Sequence, residues 1–291
     1  MKLLWCTDIH LDHMVTPAAL QPVERARVFG EYLKTQDPDA ILITGDIAEA
    51  PTVKDLLSSF AEGAGETPIA FVLGNHDHYR GSIEQVGKTM RALKAPNLIW
   101  MDEAQPIDLG SGISLVGQYA WYDGRLGDPM GSQVLLYDFS SVRELRSEFK
   151  QYQWVYEADR GGRYRLLAKL RRLANEAAAS ARAKLLQALA THDKVIFLTH
   201  VAPYAGASWH MGKISDREWL PWFSCKTMGD MLEKVADAHP TKQILVLCGH
   251  NHSEGTYQHR PNLRVLTGIA EYGYPAVAGV LTEHSFEDWD A

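Results

Sequence analysis

Seven side chains of metal-ligand type fall into five short clusters of this sequence. Asp8 and His10 lie in "TDIH", Asp46 in "GDI", Asn75 in "GNHD", His200 after "FLT", and His250 and His252 in "GHNH". Together they offer two carboxylates, one amide oxygen and four imidazoles. Mixed nitrogen and oxygen donors suit first-row divalent ions such as Mn, Fe, Co, Ni or Zn better than Ca or Mg. Seven donors are too many for one tetrahedral zinc, which takes about four ligands. They suit two ions that share a ligand. No cluster makes the case alone. A D-x-H recurs by chance, "GNHD" reads equally well as a polar turn, and "GHNH" as a loop of solvated histidines.

What joins them is the element in front of each. KLLWC leads to Asp8, AILIT to Asp46, IAFVL to GNHD, VIFLT to His200 and ILVLC to GHNH. Short, continuous apolar runs rich in Ile, Val and Leu are the pattern of strands covered on both faces. Strands are predicted at 2–6, 40–44, 69–73, 98–101, 113–116, 195–199, 244–248, 263–267 and 276–281. In α/β sheets, ligands gather beyond the carboxyl ends of the strands. Glycine next to the donors lets the backbone turn sharply there.

Helices are signalled between the strands. Pro22 suits the first turn of a helix ending near Gln36, before Asp37-Pro38. Thr52 with Asp55, and Ser82 with Gln85, have capping-box spacing. The longest predicted helix runs from about Gly162 to Ala190. Leu166, Leu170, Leu173, Ala177, Ala181, Leu185 and Leu189 form its apolar stripe. Segments 119–162 and 202–226 are irregular, and we read them as insertions or caps on a single domain spanning 1–291, the first partly helical around 142–153. Alternating elements point to an α/β layered fold with a mixed sheet.

The order D-x-H, GD, GNHD, H, GH-x-H resembles the calcineurin-like metallophosphoesterase superfamily, from Asp8 to His252. The resemblance implies a four-layer αββα sandwich of two mixed β-sheets flanked by helices. It implies that Asp8, His10, Asp46 and His252 hold one divalent ion, that Asp46, Asn75, His200 and His250 hold a second, and that Asp46 bridges. It implies hydrolysis of a phosphomonoester or phosphodiester by a hydroxide held between the metals, with His76 as general acid. Asp77 is expected to orient the His76 imidazole and keep it protonated, since a nearby carboxylate favours the charged form. No Ser or Cys nucleophile is required. The substrate, a small-molecule or nucleotide phosphoester, stays open because it is set at the rim of the site and not by the fold.

Candidate substrate contacts are His13, Arg80, Tyr204 and His210, with Trp121 and Tyr122 as further rim aromatics. Each has a plain alternative, as a surface charge or as aromatic packing under a loop. Two other readings compete. A metal-dependent nuclease is favoured by the eight Lys or Arg between Arg160 and Lys184, but these equally describe the solvated face of a helix. A net charge of −7 argues against a protein devoted to nucleic acid. A non-catalytic scaffold of the same fold would be expected to have lost His76 or several ligands, and all are present.

The chain has 291 residues, 46% hydrophobic and 22% charged, and is long enough to bury a core without staples. Its three cysteines, Cys6, Cys225 and Cys248, show no CxxC spacing and indicate neither a disulfide framework nor a zinc ribbon. The opening MKLLWCTD lacks a secretory apolar core, which together with the cysteines fits a reducing cytoplasm.

Overall fold

Apolar runs bounded by Gly, Pro and Asp become strands, and a computed structural model describing residues 1–148, 160–287 and 289 arranges them in two main sheets. In chain order the strands are β1 (Leu3–Cys6), β2 (Ala40–Thr44), β3 (Ile69–Val72), β4 (Leu98–Trp100), β5 (Ile107–Asp108), β6 (Ile113–Gly117), β7 (Lys194–Leu198), β8 (Trp209–His210), β9 (Lys213–Ile214), β10 (Gln243–Cys248), β11 (Gly255–Arg260), β12 (Leu263–Thr267) and β13 (Gly279–Leu281). The first sheet has the order β13-β1-β2-β3-β4, and the second β11-β12-β10-β7-β6-β5. In the first, β1 to β4 run parallel and β13 antiparallel; in the second, β6, β7, β10 and β12 run parallel, with β5 and β11 antiparallel at the edges.

Every residue of β1, β2 and β3 is buried, as expected of parallel strands covered on both faces. The sheets meet where β2 touches β7. Helices flank them: α1 (Pro22–Lys34), α2 (Val53–Ala64) and α3 (Ile83–Ala92) follow strands of the first sheet. The short α4 (Asp138–Ser141) and α5 (Arg143–Arg146) lead to α6 (Arg160–Leu189), and α7 (Leu220–Phe223) leads to α8 (Lys226–Ala238). Helix α6 packs on α8, β6 and β7, while α8 packs on β11 and β12. This is the expected architecture of two mixed sheets flanked by helices.

Local chemistry explains most boundaries. The Ser82 hydroxyl caps α3 by accepting from the Gln85 N–H at 3.0 Å. Pro22 opens α1, where its missing N–H costs nothing. Thr52 precedes α2 but makes no side-chain cap, so the predicted Thr52–Asp55 capping box is absent. Of the expected helix at 142–153, α5 covers 143–146, α4 ends just before it, and residues 149–153 lie outside those described. Strands β5, β8, β9 and β11 carry no continuous apolar run and escaped prediction; β11 reads GTYQHR, a half-buried edge strand.

The basic stretch of α6 belongs to the fold. Lys184 is buried and donates to the carbonyls of Met101, Asp102 and Gly117 at 2.6–3.0 Å. Arg171 donates to the carbonyls of Asp123 and Gly124, Arg163 to those of Pro129, Met130 and Ser132, and Arg172 pairs with Glu176. Arg163 and Arg171 thus stitch the 123–132 segment to the helix, and Lys184 ties it to the chain that leaves β4 and β6. No helix among the described residues is long and apolar enough to cross a membrane.

Candidate metal centre

Because β1, β2 and β3 are parallel neighbours in one sheet and β7 and β10 in the other, their carboxyl ends deliver all five clusters to one place. Asp8, His10, Asp46 and His252 each present a donor atom within 4.8 Å of the others, and so do Asp46, His200 and His250. Asp46 belongs to both groups. The Asn75 amide oxygen lies 3.0 Å from His200 Nε2 and 2.9 Å from His250 Nδ1, which places it with the second group.

The backbone bends hard to reach this arrangement. Asp8, His10, Asp46, His250 and His252 all have left-handed φ, between +36° and +71°. Non-glycine residues seldom adopt that region, and such strain gathers at functional sites. The neighbouring glycines serve close approach. A Cβ on Gly74 would overlap Asp46 Oδ1, and one on Gly249 would overlap Thr7 and Asp8.

The donors fit divalent cations by their chemistry. Asp8 and Asp46 are each 1% exposed, and their ion-pair partners among the described residues are all histidines. Asp46 Oδ2 is buried without a hydrogen-bond partner. Buried, uncompensated charge of this kind is costly unless paired or metal-bound. Burial works to raise the Asp8 carboxyl, but His252 and His200 outweigh it and hold it at about 2. Asp46 is likewise held well below the usual carboxylate range, by His200 and His76 against the effect of burial. Burial pushes His10 down to about 3 and, helped by His200, His250 also to about 3. Both are thus neutral imidazoles with a free lone pair. His200 goes the other way, to about 9: burial opposes its charge, but Asp46, 3.3 Å away, outweighs it.

That last shift carries a prediction. In the metal-free chain His200 is protonated at neutral pH, and a cation must displace that proton to bind. Metal uptake at pH 7 is expected to release about one proton or more per chain, read by calorimetry in two buffers of different ionisation enthalpy. The sign for stability follows. The raised folded-state value stabilises the metal-free protein fully below the ordinary histidine range, and that share is lost as pH rises through about 9. Chelated protein should therefore melt lower at pH 9.5 than at pH 6.5.

A second layer of contacts aims the ligands. His200 Nδ1 lies 2.7 Å from the Thr44 carbonyl, so Nδ1 carries the hydrogen and Nε2 faces the centre. His250 Nε2 donates to the Trp222 carbonyl at 2.9 Å, which leaves Nδ1 free. The Asn75 Nδ2 donates to the Tyr79 hydroxyl at 3.0 Å, and Tyr79 donates to Asp138 Oδ2 at 2.6 Å. Tyr122 donates to Asp138 Oδ1 at 3.0 Å and stacks its ring on His250. The irregular segments before and after α6 thus supply the outer shell of the second donor group. Tyr79→Phe removes the acceptor that fixes the Asn75 amide. A metal titration should show one of two cations weakened by about 10- to 100-fold, the other little changed.

His76 sits at the same centre. Its backbone N–H donates to Asp46 Oδ1 at 2.8 Å, and its Nε2 lies 3.8 Å from Asp46 Oδ2. Asp77 does not take the expected place beside it. The Asp77 carboxylate is fully buried and accepts from the N–H groups of Ile47, Ala48 and Gly74 at 2.7–3.0 Å. It fastens the loops after β2 and β3 together. Burial, then Asp46, push its carboxyl up to about 8, while the backbone amides pull the other way. Residues 76 and 77 share a single 3₁₀ turn at 76–78, yet the Asp77 carboxylate goes to three backbone amides and the His76 ring to Asp46 and Tyr272.

The rim residues divide. His13 is half exposed, 5.9 Å ring to ring from His10, and forms an outer group with Asp12 and Glu49. Arg80 is committed to an ion pair with Glu49, on that same outer side. His210 packs on Trp219 and Phe223, and Phe223 meets His250 edge-on at 5.2 Å, so His210 stands one ring away from the donors. Tyr204 is not a rim residue: its hydroxyl donates to the Gly229 carbonyl and its ring stacks on His259 at 3.9 Å, packing beneath β11. Sequence reasoning missed Tyr272. Half exposed, it stacks on His10 at 4.4 Å and brings its hydroxyl within 3.4 Å of His76 Nε2. The only signal was an aromatic among glycines in "EYGYP", outside every cluster.

A dimetal phosphatase from Danio rerio shares the fold with a TM-score of 0.55 at 11% identity, over 92% of this chain and 87% of that one. A protein of Thermus thermophilus aligns over 92% of this chain and 88% of its own, at 15% identity and a TM-score of 0.49. No curated protein matches this chain in sequence. The sequence profile described as calcineurin-like phosphoesterase matches residues 1–254, all seven donors included, and the chain belongs to that family.

Proposed function

We propose that this protein hydrolyses a phosphoester at a two-cation centre, with Asp8, His10, Asp46 and His252 around one ion and Asp46, Asn75, His200 and His250 around the other. The single observation that carries the reading is the pair of donor groups meeting at Asp46. Two bound divalent ions supply Lewis acidity toward the phosphoryl oxygens and make water nucleophilic at neutral pH.

The chain's own residues do the rest. Asp46 holds the two donor groups in one frame and, through Oδ1, fixes the backbone of His76. His76 Nε2, facing Asp46 Oδ2 and Tyr272, is the proton donor to the leaving oxygen. Its side chain is 18% exposed, enough for a substrate oxygen to reach it. Tyr272 closes one side of the centre over His10. Asp77 takes no part in proton transfer in this scheme; it holds the two loops in register.

The Danio rerio protein that shares the fold is a dimetal phosphatase, and small phosphoesters are the substrate class we favour. A nucleic-acid substrate draws little support from α6, where Arg163, Arg171 and Lys184 are engaged with carbonyls and Arg172 with Glu176. The test is a screen of bis-p-nitrophenyl phosphate against p-nitrophenyl phosphate with Mn, Ni, Co and Zn. Metal-dependent turnover of at least one is expected. Protein that carries metal yet turns over neither ester with any of the four ions would overturn the reading.

A further inference from the structure

Where the chain leaves the turn at 76–78 it meets α4 and α5, and the two enclose an open hollow of about 310 Å³. None of the seven donors lines it. Its walls are Arg80, Arg143, Arg146, two serines, a glycine and Tyr137, with no carboxylate and no aliphatic side chain among the described residues. In a chain of net charge −7, three arginines gathered without an acidic side chain need an explanation.

Arg143 and Arg146 are three residues apart on α5, so their side chains leave from one side of it. Both are exposed, and neither guanidinium has an ion-pair or hydrogen-bond partner among the described residues. Like charges at this spacing repel. The carboxylates nearby are already taken. Glu144 turns to α3 and accepts from the N–H groups of Ile83 and Glu84 at 2.9 and 3.1 Å. Glu84 pairs with Lys88, and Glu49 with Arg80. The frame around the arginines is tied down. The Arg143 N–H donates to the Gly81 carbonyl at 3.0 Å, and the Arg80 N–H to Ser141 Oγ at 2.8 Å. Tyr137, more than half exposed, links the hollow to the metal centre. Its ring meets Tyr79 edge-on at 5.2 Å, and Tyr79 lies 4.1 Å from the His76 ring.

We propose that this hollow binds a phosphoryl group between Arg143 and Arg146, with Arg80 at its edge, as a site distinct from the metal centre. Three points choose that chemistry. The planar guanidinium fork matches pairs of phosphate oxygens. Two unpaired cations balance a terminal phosphoryl dianion, where a carboxylate would leave one over. Walls without aliphatic side chains suit a small anion and offer nothing to an apolar body. The phosphoryl group is either a second phosphate carried by the substrate or free inorganic phosphate, and the two sources are separable by experiment.

The test is calorimetric titration of chelated protein with inorganic phosphate at pH 7, with chloride holding the ionic strength constant. One saturable site per chain is expected. Arg143→Gln and Arg146→Gln should each weaken it about 10-fold or more, and the double variant should lose it. Arg146→Lys keeps the charge without the fork and should fall between wild type and Arg146→Gln. Asp46→Asn should bind phosphate as wild type does. Both arginines are exposed, and thermal unfolding checks that each variant is folded. The proposal is overturned if no saturable binding is seen up to tens of millimolar phosphate, or if the double variant binds as wild type does. This binding is read without turnover, so its failure and the failure of the two-cation reading are separate results. Inhibition of p-nitrophenyl phosphate hydrolysis then names the source. If adenosine 3′,5′-bisphosphate inhibits more tightly than adenosine 5′-monophosphate, and the double variant erases the difference, the site holds a second phosphate of the substrate. Equal inhibition by the two in wild type assigns the site to free phosphate.

Discussion

Asp46→Asn abolishes turnover and lowers the metal content of the purified protein. The substitution is nearly isosteric, so the acceptor for the His76 N–H can survive. What is lost is a negative charge that both donor groups share. The remaining carboxylate, Asp8, sits in one group only, and the other would be left with neutral donors. Metal ions contribute several kcal/mol of charge stabilisation in such reactions. At about 1.4 kcal/mol per tenfold, a drop of roughly 10³-fold or more is expected. Steady-state hydrolysis and elemental analysis of the same preparation read both effects. A variant that keeps its full complement of metal would show that Asp46 is not the shared ligand.

His76→Ala discriminates between leaving groups. A general acid matters most when the departing oxygen is strongly basic, and contributes typically about 10²- to 10⁴-fold. Alkyl phosphoesters should therefore slow by about 10²-fold or more, and p-nitrophenyl esters much less. Metal content should not change, because His76 presents its ring nitrogen across Asp46 and is not part of either donor group. Equal slowing on all esters would take the acid role away from His76. In that event the Tyr272 hydroxyl, 3.4 Å from His76 Nε2, becomes the group to mutate next.

The donors were legible in the sequence because each is local: an apolar run, a turn, then a ligand-type side chain. Strand β2 falls on its predicted bounds for the same reason, since four continuous apolar residues admit few other readings, and β12 does so although Arg264 interrupts its run. The long helix was legible from its stripe, although two stripe positions, Leu173 and Ala177, remain only partly buried. What the sequence hid is set by long-range contact. Tyr79 meets Asp138 across 59 residues, and Tyr272 meets His76 across 196. Neither pairing has a period or a spacing to betray it. Asp77 was misread for a related reason. Adjacency to His76 suggested a partnership, but the turn carries the two side chains apart and gives the carboxylate to three amides. Tyr204 was drawn to the rim by its closeness to His200 in sequence, while the loop instead turns it under β11.

The most direct measurement is elemental analysis of the purified protein coupled to hydrolysis of bis-p-nitrophenyl phosphate before and after dialysis against a chelator. The account predicts close to two divalent ions per chain, loss of turnover when they are removed, and recovery when Mn, Co, Ni or Zn is returned. Turnover that persists at full rate in metal-free protein would contradict it.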